Sequence, residues 1–109
     1  MLTEEQQEIL KMIQRLQSLF EDLVLCGLRT AGPDMLSKLR QMYEEFNRTG
    51  AMYLANLLNE LIHKLDIDDK TVASAFQKAQ TSLKIFERLL TMDVIYHSLV
   101  TLQSNNNDH

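Results

Sequence analysis

The chain has 109 residues, of which 45% are hydrophobic and 24% charged, and its formal net charge at pH 7 is -4. These ordinary proportions exclude a disordered tail, a collagen-like fibre and a disulfide-stapled miniprotein, and no apolar run in the sequence is long enough to predict a membrane span. The acidic balance, with a pI of about 5.3, argues against a general nucleic-acid binder, which usually carries a basic excess.

The first segment predicts a long amphipathic helix from about residue 4 to residue 26. Thr3 is a candidate N-cap, and Gly27 is a candidate for the position just after the C-cap. The apolar positions recur at alternating steps of four and three residues, which is the spacing of one helix face. They are Ile9, Ile13, Leu16, Phe20 and Leu23.

The middle of the chain predicts two shorter helices joined as a hairpin. Pro33 suits the first position of a helix, and Gly50 suits the end of the same helix. The one or two residues around Gly50 leave room only for a tight turn before the next helix. The two apolar stripes are Met35, Leu39, Met42 and Phe46, followed by Leu54, Leu58, Leu61 and Leu65.

The last helical segment follows a run of capping residues, Asp66–Asp69. Its stripe consists of Val72, Phe76, Ala79, Leu83, Phe86 and Leu90. The next position on that face is Asp93, so either the helix breaks there and restarts with Asp93 as a cap, or it continues with Asp93 facing water. We favour the break, with a short final helix over about residues 94–102 and a polar tail over 104–109.

No segment alternates apolar and polar residues as a half-buried strand does. The sequence therefore predicts an all-α fold, an antiparallel four- to five-helix bundle with short loops. At 12.6 kDa, folding buries about two-thirds of the chain's surface, which is enough for one core. We expect a single domain over residues 1–103.

The N-terminal segment lacks the basic and apolar regions of a signal peptide. A single cysteine, Cys26, cannot form an intrachain disulfide. Its place at the end of an apolar stripe predicts a small buried hydrophobe. We therefore expect an intracellular, cytoplasmic protein.

Glu60 and His63 have the Glu-x-x-His spacing of a di-iron bundle. The full site needs a second such motif and two further glutamates, for which Asp93 and His97 offer only a partial set. We interpret Glu60 and His63 as a surface pair and predict no metal and no cofactor.

No catalytic residue can be assigned from the sequence. The glycines of Gly27–Gly32 have P-loop spacing, but Pro33 and Asp34 replace the lysine and hydroxyl residue that bind phosphate and magnesium. Cys26 could pair with a histidine, yet nothing marks such a pair. We predict that the protein is not an enzyme.

Charge is distributed unevenly along the chain. Residues 1–25 hold five acidic and two basic residues, whereas Lys78, Lys84 and Arg88 form a candidate basic strip on the fourth helix. The two regions could complement each other within the fold, or the strip could meet an acidic partner or phosphates.

Apolar residues on the first and fourth helices cover a wider arc than one core-facing stripe needs. Leftover apolar helix surface usually marks a protein partner or a second copy. Candidate contact residues are Leu19, Met35, Met42 and Leu89. The sequence thus favours a non-enzymatic interaction module or small subunit of an assembly. The alternative is a small helical subunit that contacts nucleic acid through the basic strip; no membrane contact is expected.

Overall fold

The computed structural model describes the backbone of residues 3–106, and the side chains within that range except those of residues 93–98 and 101–106. The described residues form helices and connecting turns and contain no strand, which confirms the predicted all-α class. A single turn of 3₁₀ helix, Leu28–Thr30, follows the first helix. The four α-helices are α1 (Glu4–Cys26), α2 (Pro33–Arg48), α3 (Met52–Asp66) and α4 (Val72–Asn106).

The start of α1 is fixed by a reciprocal pair of hydrogen bonds. The backbone N–H of Gln6 donates to the hydroxyl of Thr3, and the backbone N–H of Thr3 donates to the side-chain oxygen of Gln6, both at 3.1 Å. This capping box satisfies two N–H groups that the first helical turn leaves unpaired. Helix α1 ends before Gly27, which has a φ of 92°. Both predicted boundaries of α1 are confirmed.

Helix α2 ends in a Schellman motif around Gly50, whose φ is 85°. The N–H of Ala51 donates to the carbonyl of Phe46 at 3.0 Å, and the N–H of Gly50 donates to the carbonyl of Asn47 at 3.3 Å. These two bonds satisfy carbonyls at the helix end and reverse the chain direction within a few residues. Helix α3 therefore begins at Met52, after the short link that the sequence predicts.

Helix α3 ends in the same motif, with Asp68 at the left-handed position. The N–H of Asp69 donates to the carbonyl of Lys64 at 3.0 Å, and the N–H of Asp68 donates to the carbonyl of Leu65 at 3.4 Å. Asp68 has a φ of 52° and is the one residue other than glycine with positive φ in the described part of the chain.

Asp69 then organises the start of α4, as the capping interpretation predicts for this acidic run. Its carboxylate accepts hydrogen bonds from the backbone N–H of Thr71 at 2.7 Å and from the Thr71 hydroxyl at 2.5 Å. The hydroxyl bond, followed by the backbone bond, lowers the pKa of Asp69 from its ordinary value. Helix α4 begins at Val72, immediately after this turn.

Helix α4 does not break where we expected a break. Its backbone is helical from Val72 to Asn106, through the segment around Asp93. The sequence from 72 to 106 contains neither proline nor glycine, and an aspartate costs a helix well under 1 kcal/mol. Residues 104–106, assigned to the tail, also lie in this helix. The side chain of Asp93 and residues 107–109 lie outside the described residues.

All four helices contribute to one hydrophobic core. Each helix contacts the next along the chain, and α1 also contacts α4. One side-chain contact illustrates each pair of packed helices. Two are ion pairs, measured from nitrogen to oxygen: Arg15 with Glu45 between α1 and α2 (2.6 Å), and Arg40 with Asp66 between α2 and α3 (3.8 Å). Two are aromatic contacts, measured between ring centroids: Tyr53 with Phe86 between α3 and α4 (5.9 Å), and Phe20 with Phe76 between α1 and α4 (4.9 Å). The largest fully buried side chains are Phe20, Phe46, Met12, Ile13, Leu16, Leu23, Leu39, Leu58, Leu61 and Leu83.

Helix α4 is much longer than the helices against which it packs. Its 35 residues span about 52 Å, whereas the 23 residues of α1 span about 34 Å. Among the side chains that the structure describes, the last one on α4 that packs against the core is Leu90. Beyond it, the described side chains of Thr91, Met92, Leu99 and Val100 are all exposed.

Candidate functional site

A row of exposed apolar side chains runs along one face of α4. Ile85, Leu89, Met92, Leu99 and Val100 are 52%, 56%, 64%, 55% and 44% exposed, respectively. Because an α-helix turns about 100° per residue, these five positions fall within an arc of roughly 100°. We call these five residues the outer seam.

The outer seam is separate from the stripe that packs into the core. On α4 the core stripe includes Val72 and Leu83, which are buried, and Phe86 and Leu90, which are half-buried against the core. The centres of the two stripes lie roughly 130° apart around the helix axis. The apolar face of α4 therefore changes direction near residues 85–92, where the core comes to its end.

An apolar groove lies at the end of the core near Leu90. It has a volume of about 420 Å³. Met52 and Tyr53 on its rim are 50% and 56% exposed. The groove is lined by Ile9, Gly50, Ala51, Met52, Tyr53, Leu54, Phe86 and Leu90; we call it the end groove. Helix α4 leaves the core at this end, so the groove and the outer seam occupy the same region of the molecule.

The structure separates the four candidate contact residues. Leu89 belongs to the outer seam, and Leu19 and Met35 are half-buried against the core. Met42 is only 5% exposed and is part of the core itself. Because Met42 offers so little surface, it serves packing rather than contact with another molecule.

Sequence reasoning did not single out the other members of the outer seam or the groove residue Tyr53. The signal for the seam was nevertheless present: Ile85, Leu89 and Met92 are spaced by four and three residues. That spacing marks a helix face as clearly as the core stripe does. No comparable signal marks the groove, because its residues come from three separate helices and a turn.

The candidate basic strip is only partly brought together. Lys84 and Arg88 line one cavity of about 390 Å³ between α1 and α4, but Glu21 and Glu87 line the same cavity. Lys78 lies apart, in a shallow depression formed within α4. The two carboxylates reduce the positive potential near Lys84 and Arg88, since opposite charges a short distance apart screen each other.

The remaining candidate groups are exposed. Oε1 of Glu60 lies 3.4 Å from Nζ of Lys64, one turn further along α3. The side chain of His63, on the same helix, is exposed to solvent. Within residues 3–106, wherever side chains are described, no group of three potential metal ligands comes together. Cys26 is exposed at the end of α1, so the expectation of a buried thiol is wrong. The side chain of His97 lies outside the described residues.

Along the part of the chain that the structure describes, none of the helices combines the length and apolar character needed to cross a bilayer. Comparisons with protein-family models, with curated proteins and with solved structures found no match to this chain.

Proposed function

We propose that the chain is a non-enzymatic helical interaction module, or a small subunit of a larger assembly, that binds a protein through the outer seam of α4. The observation that carries this proposal is the set of exposed apolar side chains on one face of α4: Ile85, Leu89 and Met92, and then Leu99 and Val100. Scattered apolar residues are normal on a protein surface, whereas apolar residues that repeat on one helix face are typical of a contact site.

The arrangement of the helices supports a rigid platform for this surface. Phe20 lies against Phe76, while Ile9 near the start of α1 shares the end groove with Leu90 far along α4. These pairs fit helices that run in opposite directions, as in an antiparallel bundle with short loops. We propose that this bundle holds α4 in place and presents the outer seam at one end.

The test is to place a photo-crosslinking residue at position 89 of the full-length chain in cells. The matched control carries the same residue at position 25, because Leu25 is 84% exposed on α1 and lies off the seam. We expect a defined protein adduct at position 89 that is absent at position 25. Equal labelling at both positions, or no adduct at position 89, would refute the proposal.

The alternative is contact with nucleic acid within a complex, and it depends on Lys84 and Arg88, which lie together. The acidic neighbours Glu21 and Glu87 make it the weaker proposal. Binding of DNA or RNA should fall steeply with added salt and should weaken in the Lys84→Glu/Arg88→Glu double variant. If the unaltered chain binds neither nucleic acid at low salt, this alternative fails for the isolated protein.

A further inference from the structure

We infer that the outer seam binds the outer seam of a second copy of this chain, with the two α4 helices packed side by side. The inference depends on the proposed function and identifies its partner. The spacing of the seam, its lack of charge and the surface that the single chain leaves exposed support it.

The spacing of the seam matches that of two helices packed side by side. Ile85, Leu89 and Met92 are separated by four and three residues, and Leu99 follows seven residues after Met92. The intervening position in this rhythm is occupied in the sequence by Tyr96. Steps of four and three sustained over two heptads form the knobs-into-holes seam of a two-helix coil. The spacing of the outer seam is therefore suited to packing against another helix.

The seam can also pack against itself. Ile85, Met92 and Leu99 follow one another at intervals of seven residues, with Leu89 between the first two. Two such seams can interdigitate as an isologous interface, in which one patch serves both copies.

Charge favours an uncharged partner. Between residues 89 and 106 the sequence contains one acidic residue, Asp93, and one histidine, His97. The same segment of a second copy is equally poor in charge, so it meets this condition.

The exposed area has the magnitude that a dimer needs. The chain exposes 7460 Å², whereas a compact monomeric protein of 12.6 kDa exposes about 6,200 Å². The excess is roughly 1,200 Å², and a stable interface of standard size buries about 800 Å² from each partner. The surplus is therefore larger than the area that one partner contributes to an interface of that size.

The first experiment measures the mass of the full-length protein by analytical ultracentrifugation over a wide concentration range. We expect a reversible dimer, and Leu89→Lys should weaken its association about tenfold or more, since a charge would enter the centre of an apolar interface. Leu89 is 56% exposed in the single chain, so the variant should keep a folded core, which a cooperative urea transition would show. The matched control, Leu25→Lys, should leave the association unchanged.

The second experiment tests contact through the seam by disulfide formation in a Cys26→Ser background, because a disulfide needs α-carbons within about 7 Å. The variants Ile85→Cys, Met92→Cys and Leu99→Cys should yield linked dimers, each with itself if the helices are parallel and in mixtures of two variants if they are antiparallel. Leu25→Cys, which lies off the seam, should yield none.

Three results would overturn the inference: a monomer at every concentration, a dimer that Leu25→Lys rather than Leu89→Lys weakens, or cysteines at seam positions that form no linked dimer either alone or in mixtures. The crosslink at position 89 separates these failures from that of the proposed function. An adduct with a different protein at position 89 of a monomeric chain refutes self-association and leaves the interaction module standing. A monomer with no adduct refutes both.

Discussion

Two helix ends in this chain use the same backbone turn with different residues at the left-handed position. Gly50 ends α2 with a φ of 85°, and Asp68 ends α3 with a φ of 52°. A side chain in this conformation costs about 1–2 kcal/mol, which glycine avoids. The turn after α3 therefore carries a conformational cost that the turn after α2 does not.

We predict that Asp68→Gly raises the free energy of unfolding by about 0.5–1 kcal/mol and that Gly50→Ala lowers it by about 1 kcal/mol. A Cβ at Gly50 would meet no atom within 4 Å, so that cost is purely conformational. The ion pair between Asp68 and Arg29, 3.8 Å apart and exposed, contributes little.

Urea unfolding at constant m-value measures both changes. Asp68→Asn is the control, since it removes the charge but keeps a residue that tolerates the left-handed conformation. Should both Asp68→Gly and Asp68→Asn prove less stable than the unaltered chain, the ion pair or the aspartate itself would matter more than the backbone.

Asp69 makes the start of α4 sensitive to acid. The Thr71 hydroxyl and then the Thr71 N–H lower the pKa of Asp69, so folding favours the carboxylate form. Its stabilising contribution is present above the ordinary pKa of aspartate and is lost as the pH falls through the lowered pKa. We predict that Asp69→Asn loses less stability than the unaltered chain over that acid range.

The measurement is the urea midpoint of each protein from neutral to acid pH. Thr71→Val serves as the control, because it removes the hydroxyl that makes the largest contribution while leaving Asp69 ionisable. Its profile should lie between the other two. Parallel profiles for the three proteins would show that Asp69 titrates alike in the folded and unfolded chains.

At the scale of helices, the sequence was informative wherever a helix end carries its own chemical signal. Thr3, Pro33 and Gly50 each mark a boundary that the structure confirms, because caps and turns act through neighbouring backbone groups. Helix α4 has no such signal at its predicted end. Asp93 was interpreted as a boundary because it interrupts the core stripe, although the apolar pattern had already moved to another face.

The candidate site was harder to predict than the helices. Of the candidate contact residues, Leu89 is exposed, whereas Met42, named with it, lies in the core. Periodicity identifies the apolar arc of a helix but not which part of a wide arc its neighbours cover. That depends on the angle at which helices pack, which is a property of all four together.

The extended end of α4 should depend on its partner for order. The segment of α4 beyond Leu90 runs only to Asn106, and isolated helices of about 15 residues are marginal in water. In the single chain, Met92, Leu99 and Val100 leave their apolar surface uncovered. We predict that amide hydrogen exchange beyond Leu90 slows as the protein concentration rises, while exchange within α2 does not change. In Leu89→Lys the exchange beyond Leu90 should be fast at every concentration tested; slow exchange there would indicate that the extension is stable alone.

At the scale of the whole molecule, folding and self-association should be linked. A partner that binds only the folded chain raises the apparent stability by mass action, so the melting temperature of a dimer depends on protein concentration. We predict that the melting temperature rises with concentration for the unaltered chain and for Leu25→Lys, and stays constant for Leu89→Lys. Differential scanning calorimetry measures this directly. A melting temperature independent of concentration in all three proteins would mean that the core from α1 to Leu90 is stable without help, and that the surplus surface on α4 contributes nothing to holding the fold together.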